Sequence, residues 1–468
     1  MPHDDLHWLS AVELAAGIRA KSYSPVDVTR AALDRIAKVN PPLNALVTVP
    51  EGAAVCAAEK ADEAIKRGDQ LGPLHGVPFH VKDNLYVADS RTTFGSLPAR
   101  ETVTADDCTA VERLRAAGAI MIGRTNTPEF GWKGVTDNRV FGATRNPWNR
   151  DLTPGGSSGG AAAAVAAGMG PVGIGTDGGG SLRIPASFCG LVGFKASFGR
   201  IPNWPGSSGA MLRHIGAITR TVADQALLLD VLAGPDRRDL LSLPPAGVSC
   251  AAELDRGIKG KRVAYSPDFG YARVEAEVAA ICRRAAERFA ETGAHVEPIA
   301  LDWRDPYDTW SVFFFGTAAA SMEKKLAEQG DQLDPGFRRV VERGLQLRGV
   351  DFANALAGRH EFWDRVRRVY DKYDLLLSPT LPVPPFAVGQ DDAPPLEREK
   401  LGPLQWTQFT YPFNLTGQPA ISVPAGWTKA GLPVGLQIVG DRHADLAVLQ
   451  AARAWELVQP WKEKHPPM

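Results

Sequence analysis

Two glycine- and serine-rich clusters in the first half of the chain carry hydroxyl groups that could act as nucleophiles. They are residues 155–160 (GGSSGG) and 177–181 (DGGGS), in which Ser157 and Ser181 stand 24 positions apart. Between them we predict a helix of about nine residues and a strand of about six, which rise by roughly 13 and 20 Å. Because these lengths are similar, the chain can turn back on itself and the two serines can meet at one end of a sheet.

The glycines before Ser181 add a second chemical capability. Three consecutive glycines, Gly178–Gly180, let the main chain come close to a ligand and present several N–H groups in one concave nest. Such a nest suits the oxyanion of an acyl-transfer intermediate. The alternative for either cluster alone is an ordinary loop whose hydroxyls cap a helix.

A predicted strand upstream, residues 76–84 (GVPFHVKDN), ends in polar side chains. Side chains alternate between the faces of a strand, so His80 and Lys82 share one face while Phe79 and Val81 share the other. A lone lysine at a strand end is usually a solvated charge. In isolation, Lys82 therefore indicates no chemistry.

Together with the motifs around them, these pieces resemble the amidase signature family. The resemblance covers residues 71–234 almost without a gap and resumes near the C-terminus. Many short motifs in the right order over most of the chain make the match specific. The matching motifs are 82–84 (KDN), 92–96 (TTFGS), 117–120 (AGAI), 125–126 (TN), 129–130 (EF), 145–148 (RNPW), 154–160 (PGGSSGG), 175–177 (GTD), 179–181 (GGS), 183–186 (RIPA), 193–195 (GFK), 378–382 (SPTLP), 412–414 (PFN) and 431–437 (GLPVGLQ).

The resemblance implies a role for each matched position. Ser181 stands where the family has its nucleophile, Ser157 where it has a proton-relaying serine on a cis peptide bond, and Lys82 where it has the general base. No metal ligand belongs to the motif set, so we expect neither a metal nor a cofactor. The residues whose N–H groups match the family's oxyanion hole are Gly178, Gly179, Gly180 and Ser181. The residues that match supporting positions are Ser158, Asp177 and Arg183.

The proposed base requires unusual surroundings. Lysine accepts a proton only when its amino group is neutral, whereas its ordinary pKa is about 10.4. Lowering that pKa to about 7–8 corresponds to roughly 4 kcal/mol and requires desolvation. Residues 152–176 contain eight glycines and no charged side chain, so they could supply such surroundings.

The substrate-binding residues are less clearly marked. Residues 201–216 are predicted to form a loop over the site, and residues 303–315 hold six aromatic side chains that form either core or an apolar wall. His80 is either a pocket residue or a buried structural histidine. We expect a hydrophobic amide, anilide or carbamate rather than a small polar amide. The candidate substrate contacts are His80, Gly131, Trp132, Trp204 and Met211.

Two other functions remain as alternatives. Residues 155–159 fit the G-x-S-x-G nucleophile elbow of α/β-hydrolases, which would make Ser157 the nucleophile and require a downstream histidine. The second alternative is the amidotransferase subunit that supplies ammonia to mischarged transfer RNA. Residues 405–411 (QWTQFTY) lack the acidic side chain that the glutamine site of that relative uses, which disfavours glutamine as substrate. The histidines available to the hydrolase alternative are His214, His295, His360 and His443.

Composition limits the other possibilities. The chain has 468 residues and a net charge of −1, so it has no electrostatic reason to bind nucleic acid or an acidic membrane. Five cysteines without a CxxC motif disfavour a disulfide framework and structural zinc. The N-terminus lacks the pattern of a signal peptide. We therefore expect a cytoplasmic enzyme with a small-molecule amide or carbamate as its partner, and a homodimer as the alternative to a monomer.

Alternating helix and strand patterns predict an α/β fold with a large mixed, mostly parallel β-sheet covered on both faces by α-helices. We expect a single domain over residues 1–468, with core motifs in 71–234, a variable lobe at about 235–370 and a return to the core at 374–458. Ser24 and Pro25 are typical of a helix start. Thr104 is the predicted N-cap of a helix that continues to Ala117.

Overall fold

The computed structural model describes residues 3–206, 208–394, 396 and 402–468. Its α-helices are α1 (Ala11–Arg19), α2 (Pro25–Leu43), α3 (Glu51–Arg67), α4 (Thr109–Ala116), α5 (Gly159–Ala166), α6 (Arg183–Cys189), α7 (Val222–Leu232), α8 (Cys250–Glu253), α9 (Ala276–Phe289), α10 (Tyr307–Gln329), α11 (Pro335–Leu345), α12 (Gly349–Tyr370), α13 (Tyr411–Thr416) and α14 (Asp445–Val458). Its strands are β1 (Leu46–Thr48), β2 (Pro78–Lys82), β3 (Ser90–Arg91), β4 (Val103–Thr104), β5 (Ile120–Thr125), β6 (Asp137–Asn138), β7 (Gly142–Ala143), β8 (Val172–Asp177), β9 (Val192–Lys195), β10 (His214–Thr219), β11 (Arg262–Tyr265), β12 (His295–Pro298), β13 (Leu375–Pro379), β14 (Ala420–Trp427) and β15 (Pro433–Gly440).

One sheet of eleven strands organises the molecule, in the order β1-β5-β2-β8-β10-β9-β14-β15-β13-β11-β12. The predicted mixed α/β sheet is confirmed, but the expectation that it is mostly parallel is wrong. Of the ten neighbouring pairs, six are antiparallel and four are parallel. A short turn joins β14 to β15, and a connection of that length can join only antiparallel strands.

The middle of the sheet is covered on both faces. Every residue of β2, β8, β10, β13 and β15 is buried, although successive side chains of a strand point to opposite sides. Helix α5 is buried at all eight positions, and five of its residues are alanines, so it packs closely against the strands that carry the site. The predicted helical cover is therefore confirmed.

Two predictions of helix starts had different outcomes. Helix α2 begins at Pro25, with Ser24 as its N-cap, as predicted. The N-cap prediction at Thr104 is wrong, because α4 begins at Thr109 after Cys108. Thr104 instead lies in β4, where its hydroxyl donates a hydrogen bond of 2.7 Å to the carbonyl of Val87. A polar residue followed by acidic residues is compatible with a strand residue that contacts a loop as well as with a helix N-cap. The local sequence therefore does not distinguish the two.

Residues 235–370 add to this architecture rather than interrupt it. Strands β11 and β12 extend the same sheet at one edge, and α10, α11 and α12 follow them. The single-domain organisation remains a prediction. Within the described ranges, we find no helix with the length and apolar character needed to cross a bilayer.

Candidate active site

Strands β2 and β8 bring the candidate catalytic residues to one edge of the sheet. The two strands are parallel neighbours, so their C-terminal ends, Lys82 and Asp177, lie on the same side. Ser157 and Ser158 immediately precede α5, which packs on both strands. The edge predicted from strand and helix lengths is therefore the edge at which the structure places these residues.

Lys82 is fully buried and surrounded by hydroxyl groups. Its Nζ atom lies 2.6 Å from Oγ of Ser157, 3.0 Å from Oγ of Ser158 and 3.0 Å from Oγ1 of Thr176. The side-chain amide of Asn84 donates to the Thr176 hydroxyl at 3.3 Å. The three hydroxyl partners of Lys82 can either donate or accept a hydrogen bond, so they accommodate a neutral amine as well as an ammonium group.

The surroundings of Lys82 favour its neutral form. Burial lowers its pKa well below the ordinary value, and the positive charge of Arg213 lowers it further. The negative charge of Asp177 opposes this shift without reversing it. An amine with a lowered pKa is available to accept a proton near neutral pH.

The peptide bond between Gly156 and Ser157 is cis, as the resemblance implied. Gly156 lies against the backbone of Val135, where a Cβ atom would come within 2.4 Å of a carbonyl oxygen. Gly131 has a φ of +74°, which L side chains rarely adopt, and a Cβ atom there would lie 3.1 Å from Oγ of Ser157. Glycine is therefore favoured at both positions, and Ser157 and Gly131 both face the same cavity.

The loop that carries Ser181 is held in place by the carboxylate of Asp177. Asp177 accepts hydrogen bonds from Nε and Nη2 of Arg183, both at 3.0 Å, and from the amide of Asn414 at 2.8 Å. Although burial raises the pKa of the Asp177 carboxyl, the charge and hydrogen bonds of Arg183 outweigh it, and the pKa lies well below its usual range. Asp177 and Arg183 are therefore an ion pair that supports the loop, as the resemblance implied.

One of the four predicted oxyanion donors is used elsewhere. The N–H group of Gly180 donates to Oδ1 of Asp177 at 2.7 Å, so it braces the loop instead of facing a substrate. The carbonyls of Gly178 and Gly179 are also held, by the indole N–H of Trp310 at 3.1 Å and the Thr410 hydroxyl at 2.6 Å. Within the described chain, no hydrogen bond uses the N–H groups of the remaining three donors. These are Gly178, Gly179 and Ser181.

A cavity of about 480 Å³ opens onto Ser157 and Ser181. Aromatic side chains form much of its wall, and the predicted contacts Gly131, Trp132 and Trp204 lie in its lining. Trp310 and Phe314 also line it, whereas Phe313 packs into the core, so the aromatic segment serves both of its predicted purposes. The aromatic lining residues are Tyr86, Phe94, Phe130, Trp132, Trp204, Trp310, Phe314 and Phe337.

Two of the predicted substrate contacts lie outside the cavity lining, and for His80 the alternative of a buried structural histidine holds. His80 lies behind the site, against Gly170 and Gly173, and no described residue hydrogen-bonds to either of its ring nitrogens. Burial and the charge of Arg220 lower its pKa to about 3, so it is a neutral core residue. Met211 is 40% exposed and lies outside the cavity lining. Sequence reasoning also missed Arg213, which lines the cavity two residues after Met211.

The histidines required by the α/β-hydrolase alternative lie elsewhere. In the described part of the chain, no histidine lines the cavity that contains Ser157. His214 is buried, with Nδ1 at 2.9 Å from the carbonyl of Leu212 and Nε2 at 3.3 Å from Nζ of Lys195. His360 is exposed on α12. The group next to Ser157 is an amine, which the Ser-His mechanism does not use.

Comparison with known proteins agrees with this geometry. A model of the Amidase family matches residues 27–449. The chain belongs to this family. This amidase is 41% identical to an acylamidase of Rhodococcus erythropolis, over 100% of its own length and 98% of that protein. It is also 33% identical to a glutamyl-tRNA(Gln) amidotransferase subunit of Alkaliphilus metalliredigens, with 96% of each chain covered.

Among solved structures, a bacterial aryl acylamidase of the amidase signature enzymes superposes with a TM-score of 0.92. It shares 34% of its sequence with this amidase, and 98% of each chain is covered. The chain is thus a serine amidohydrolase that acts on carbon–nitrogen bonds, and the predicted family, fold class and reaction class are confirmed.

Proposed function

We propose that this amidase hydrolyses aryl and alkyl amides, anilides or carbamates through an acyl-enzyme on Ser181, with Ser157 as proton relay and Lys82 as base. The observation that carries the proposal is the position of Ser157. It lines the substrate cavity on one side and lies 2.6 Å from the buried amine of Lys82 on the other. Ser157 therefore stands between the base and the cavity in which Ser181 meets the substrate.

In the first half-reaction, the Ser181 hydroxyl attacks the carbonyl carbon and its proton passes to Ser157. Ser157 in turn gives its own proton to the neutral amine of Lys82. The tetrahedral oxyanion forms opposite the N–H groups of Gly178, Gly179 and Ser181. The C–N bond breaks as the proton on Lys82 returns through Ser157 to the leaving nitrogen, which departs as a neutral amine.

In the second half-reaction, water replaces the amine and uses the same relay. Lys82 accepts the water proton through Ser157, and hydroxide attacks the acyl carbon of the ester on Ser181. Collapse of the second tetrahedral intermediate releases the acid and returns the proton to the Ser181 oxygen. No group other than these three side chains needs to change its protonation state.

The wall of the cavity supports an apolar substrate. Trp310 and Phe314 stack with their ring centroids 4.7 Å apart, and Phe130 stacks on Phe337 at 5.6 Å. Both pairs border the cavity, so an aryl or alkyl group would be received by planar apolar surfaces. The acylamidase and aryl acylamidase relatives support the same substrate class.

The amidotransferase function is the second candidate, because relatives at 33–36% identity carry that name. The cavity lining argues against it. Free glutamine carries an α-ammonium group that needs a carboxylate partner, and no aspartate or glutamate lies among the described lining residues. We further propose that the enzyme is cytoplasmic, which its five free cysteines support.

The experiment that tests the proposal combines labelling with a substrate panel. A fluorophosphonate should label Ser181, as peptide mass spectrometry would show, and Ser181→Ala should abolish both labelling and turnover. Aryl amides, anilides and carbamates should be hydrolysed faster than glutamine or acetamide. Labelling at Ser157, or a preference for glutamine, would contradict the proposal.

A further inference from the structure

Among the described residues that line the substrate cavity, every charged side chain is cationic. Its lining contains three cationic side chains, Lys133, Arg213 and Lys325, and no carboxylate within the described residues. The chain as a whole is balanced, with 52 lysines and arginines against 53 aspartates and glutamates. The excess of positive charge is therefore a property of this cavity and not of the protein surface in general.

The three cations differ in what surrounds them. Lys133 forms ion pairs with Asp137 at 2.7 Å and with Asp391, so its charge is balanced by acids outside the cavity. Lys325 lies 5.3 Å from the centroid of the Phe130 ring, in a cation–π contact. The carboxylate of Asp177, which lies near the catalytic loop, is committed to Arg183 and Asn414 and does not line the cavity.

Arg213 is the cation near the reacting atoms. Its Nη2 atom donates to the carbonyl of Asn84 at 3.3 Å, and the Asn84 amide donates to Thr176, which contacts Lys82. Two of its neighbours in the lining are Tyr86 and Cys108, neither of which is a carboxylate. A guanidinium group stays protonated even when it is desolvated, so this part of the cavity carries a fixed positive charge.

Lys325 lies much farther from the chemistry. Helix α10 lines the cavity with residues of one face, from Trp310, which contacts the Gly178 carbonyl, to Lys325. Fifteen residues of helix separate these two, which corresponds to roughly 22 Å along the axis. The cavity therefore has an inner cation beside the catalytic groups and an outer cation at its far end.

We propose that the preferred substrates of this amidase are apolar amides that also carry a carboxylate, which Arg213 binds, and that amides carrying an ammonium group are excluded. The inference rests on the proposed amidase function and adds the charge of the substrate to it. The planar fork of arginine matches a carboxylate with two parallel hydrogen bonds. In a partly desolvated cavity, a like-charged group is repelled and an opposite charge is attracted more strongly than in water.

Two sources of the carboxylate are compatible with this chemistry, the acyl part and the amine part of the substrate. Succinanilate carries it on the acyl side and 4-acetamidobenzoate on the amine side. Each is compared with a neutral analogue of similar size, butyranilide and 4-methylacetanilide respectively. The ammonium analogue is 4-(aminomethyl)acetanilide. If the preference for the carboxylate is larger for succinanilate, Arg213 faces the acyl part of the substrate. If it is larger for 4-acetamidobenzoate, Arg213 faces the amine part.

The measured quantity is the ratio of kcat/KM for the carboxylate substrate to that for its ammonium or neutral analogue. For the wild type we expect this ratio to be at least about 10 in one arm, against the ammonium analogue on the amine side or the neutral analogue on the acyl side, and to fall as salt is raised from 0.05 to 0.5 M. Arg213→Gln should lower that ratio by about tenfold, whereas Arg213→Lys should retain part of it. Lys325→Gln removes the same charge at the outer end and should change the ratio by less than about threefold.

The outcomes separate this inference from the proposed function. If neutral anilides are hydrolysed and Ser181 is labelled, but the ammonium analogue is hydrolysed as fast as both carboxylates, the charge inference is wrong while the amidase function stands. If no amide is hydrolysed and Ser181 is not labelled, the proposed function itself fails. Circular dichroism checks the folding of the Arg213 variants. If they do not fold, the wild-type ratio and its salt dependence still decide.

Discussion

Two of the buried lysines, Lys82 and Lys195, differ in the groups that surround their amines. Lys82 ends β2 and Lys195 ends β9, and neither side chain is exposed to solvent. Burial lowers the pKa of both well below the ordinary value. Lys82, however, contacts three hydroxyl groups, whereas Lys195 contacts the carbonyl oxygens of Ala196 and Gln418.

The partners of Lys195 require it to donate. A carbonyl oxygen only accepts hydrogen bonds, so it stabilises the ammonium form. The third contact of Lys195 is Nε2 of His214, at 3.3 Å. Because Nδ1 of that ring faces the carbonyl of Leu212 at 2.9 Å, Nδ1 carries the hydrogen and Nε2 accepts. Among the nearby charges, Arg183 opposes protonation of Lys195, whereas Asp177 and Asp445 favour it.

Burial alone therefore does not make a lysine a base. Hydroxyl partners can reverse the direction of their hydrogen bonds, so Lys82 can gain and lose a proton without leaving a buried group unsatisfied. Carbonyl partners cannot do so, and Lys195 is suited to brace the backbone at Ala196 and Gln418. The type of partner therefore separates a catalytic lysine from a structural one.

Substitution of Lys82 should cause the largest loss of activity. Lys82→Met should lower kcat/KM by at least about 1000-fold, because no group then accepts the Ser181 proton. Lys82→Arg should not rescue activity, since guanidinium stays protonated. Steady-state assays with an anilide substrate measure the decrease in kcat/KM, and circular dichroism verifies that the variants fold. Near-wild-type activity of the arginine variant would show that this position supplies charge and not proton transfer.

Lys195→Met should act mainly on stability. The change leaves two carbonyls and His214 without their donor, which should cost about 2–4 kcal/mol of the free energy of unfolding. Denaturant unfolding followed by tryptophan fluorescence measures this loss. In the folded protein, kcat/KM should fall by less than about tenfold, because the relay itself is intact. A folded variant as inactive as Lys82→Met would refute the assignment of separate roles.

The pH dependence should distinguish the two lysines directly. Lys82 works when neutral and its pKa is lowered, so kcat/KM should decline as pH falls through that lowered pKa and level off above it. Protonation of Lys82 at low pH removes the base, so kcat/KM falls on the acid side of the profile. The ¹⁵Nζ NMR signal of Lys82 should titrate with the same midpoint, while Lys195 should retain an ammonium shift to higher pH. An activity profile that is flat on the acid side would count against a lysine base.

Removal of a single hydroxyl should have the smallest effect. Thr176→Val deletes one of the three oxygen partners of Lys82 and preserves the shape of the side chain. One hydrogen bond contributes about 0.5–1.5 kcal/mol, so kcat/KM should fall by roughly two- to tenfold. Thr410→Val is the matched control. It also removes one hydroxyl, but that hydroxyl donates to the Gly179 carbonyl in the loop of the oxyanion donors and does not contact Lys82. A loss with Thr176→Val as large as with Lys82→Met would mean that the hydroxyl has a catalytic role of its own.

Much of the site could be predicted from the sequence because its parts lie at the ends of short, regular elements. Ser157, Ser181 and Lys82 flank a helix and two strands whose lengths bring them together. Of the two alternatives for His80, the pocket residue is excluded for a related reason. His80 shares a face with Lys82, but it lies two residues farther inside the sheet, where its ring packs against Gly170 and Gly173.

Other features depend on contacts between distant segments and leave no local pattern. Arg213 reaches the cavity from the strand β10 side, more than 30 positions after Ser181 in the chain. The antiparallel placement of β10 between β8 and β9 likewise follows from packing and not from the strand's own residues. Gly180 matches the family's oxyanion motif, yet only the position of the Asp177 carboxylate shows that its N–H is occupied.

The wall formed by α10 and α11 has a consequence for how this enzyme can change. The catalytic groups come from residues 82–181, whereas Trp310, Phe314, Met322, Lys325 and Phe337 come from a separate, contiguous stretch. One contiguous segment therefore supplies a distinct part of the cavity wall. Exchange or randomisation of residues 314–337 would alter that part of the wall, and with it which amides fit, while Arg213 and Trp310, which holds the Gly178 carbonyl, stay in place.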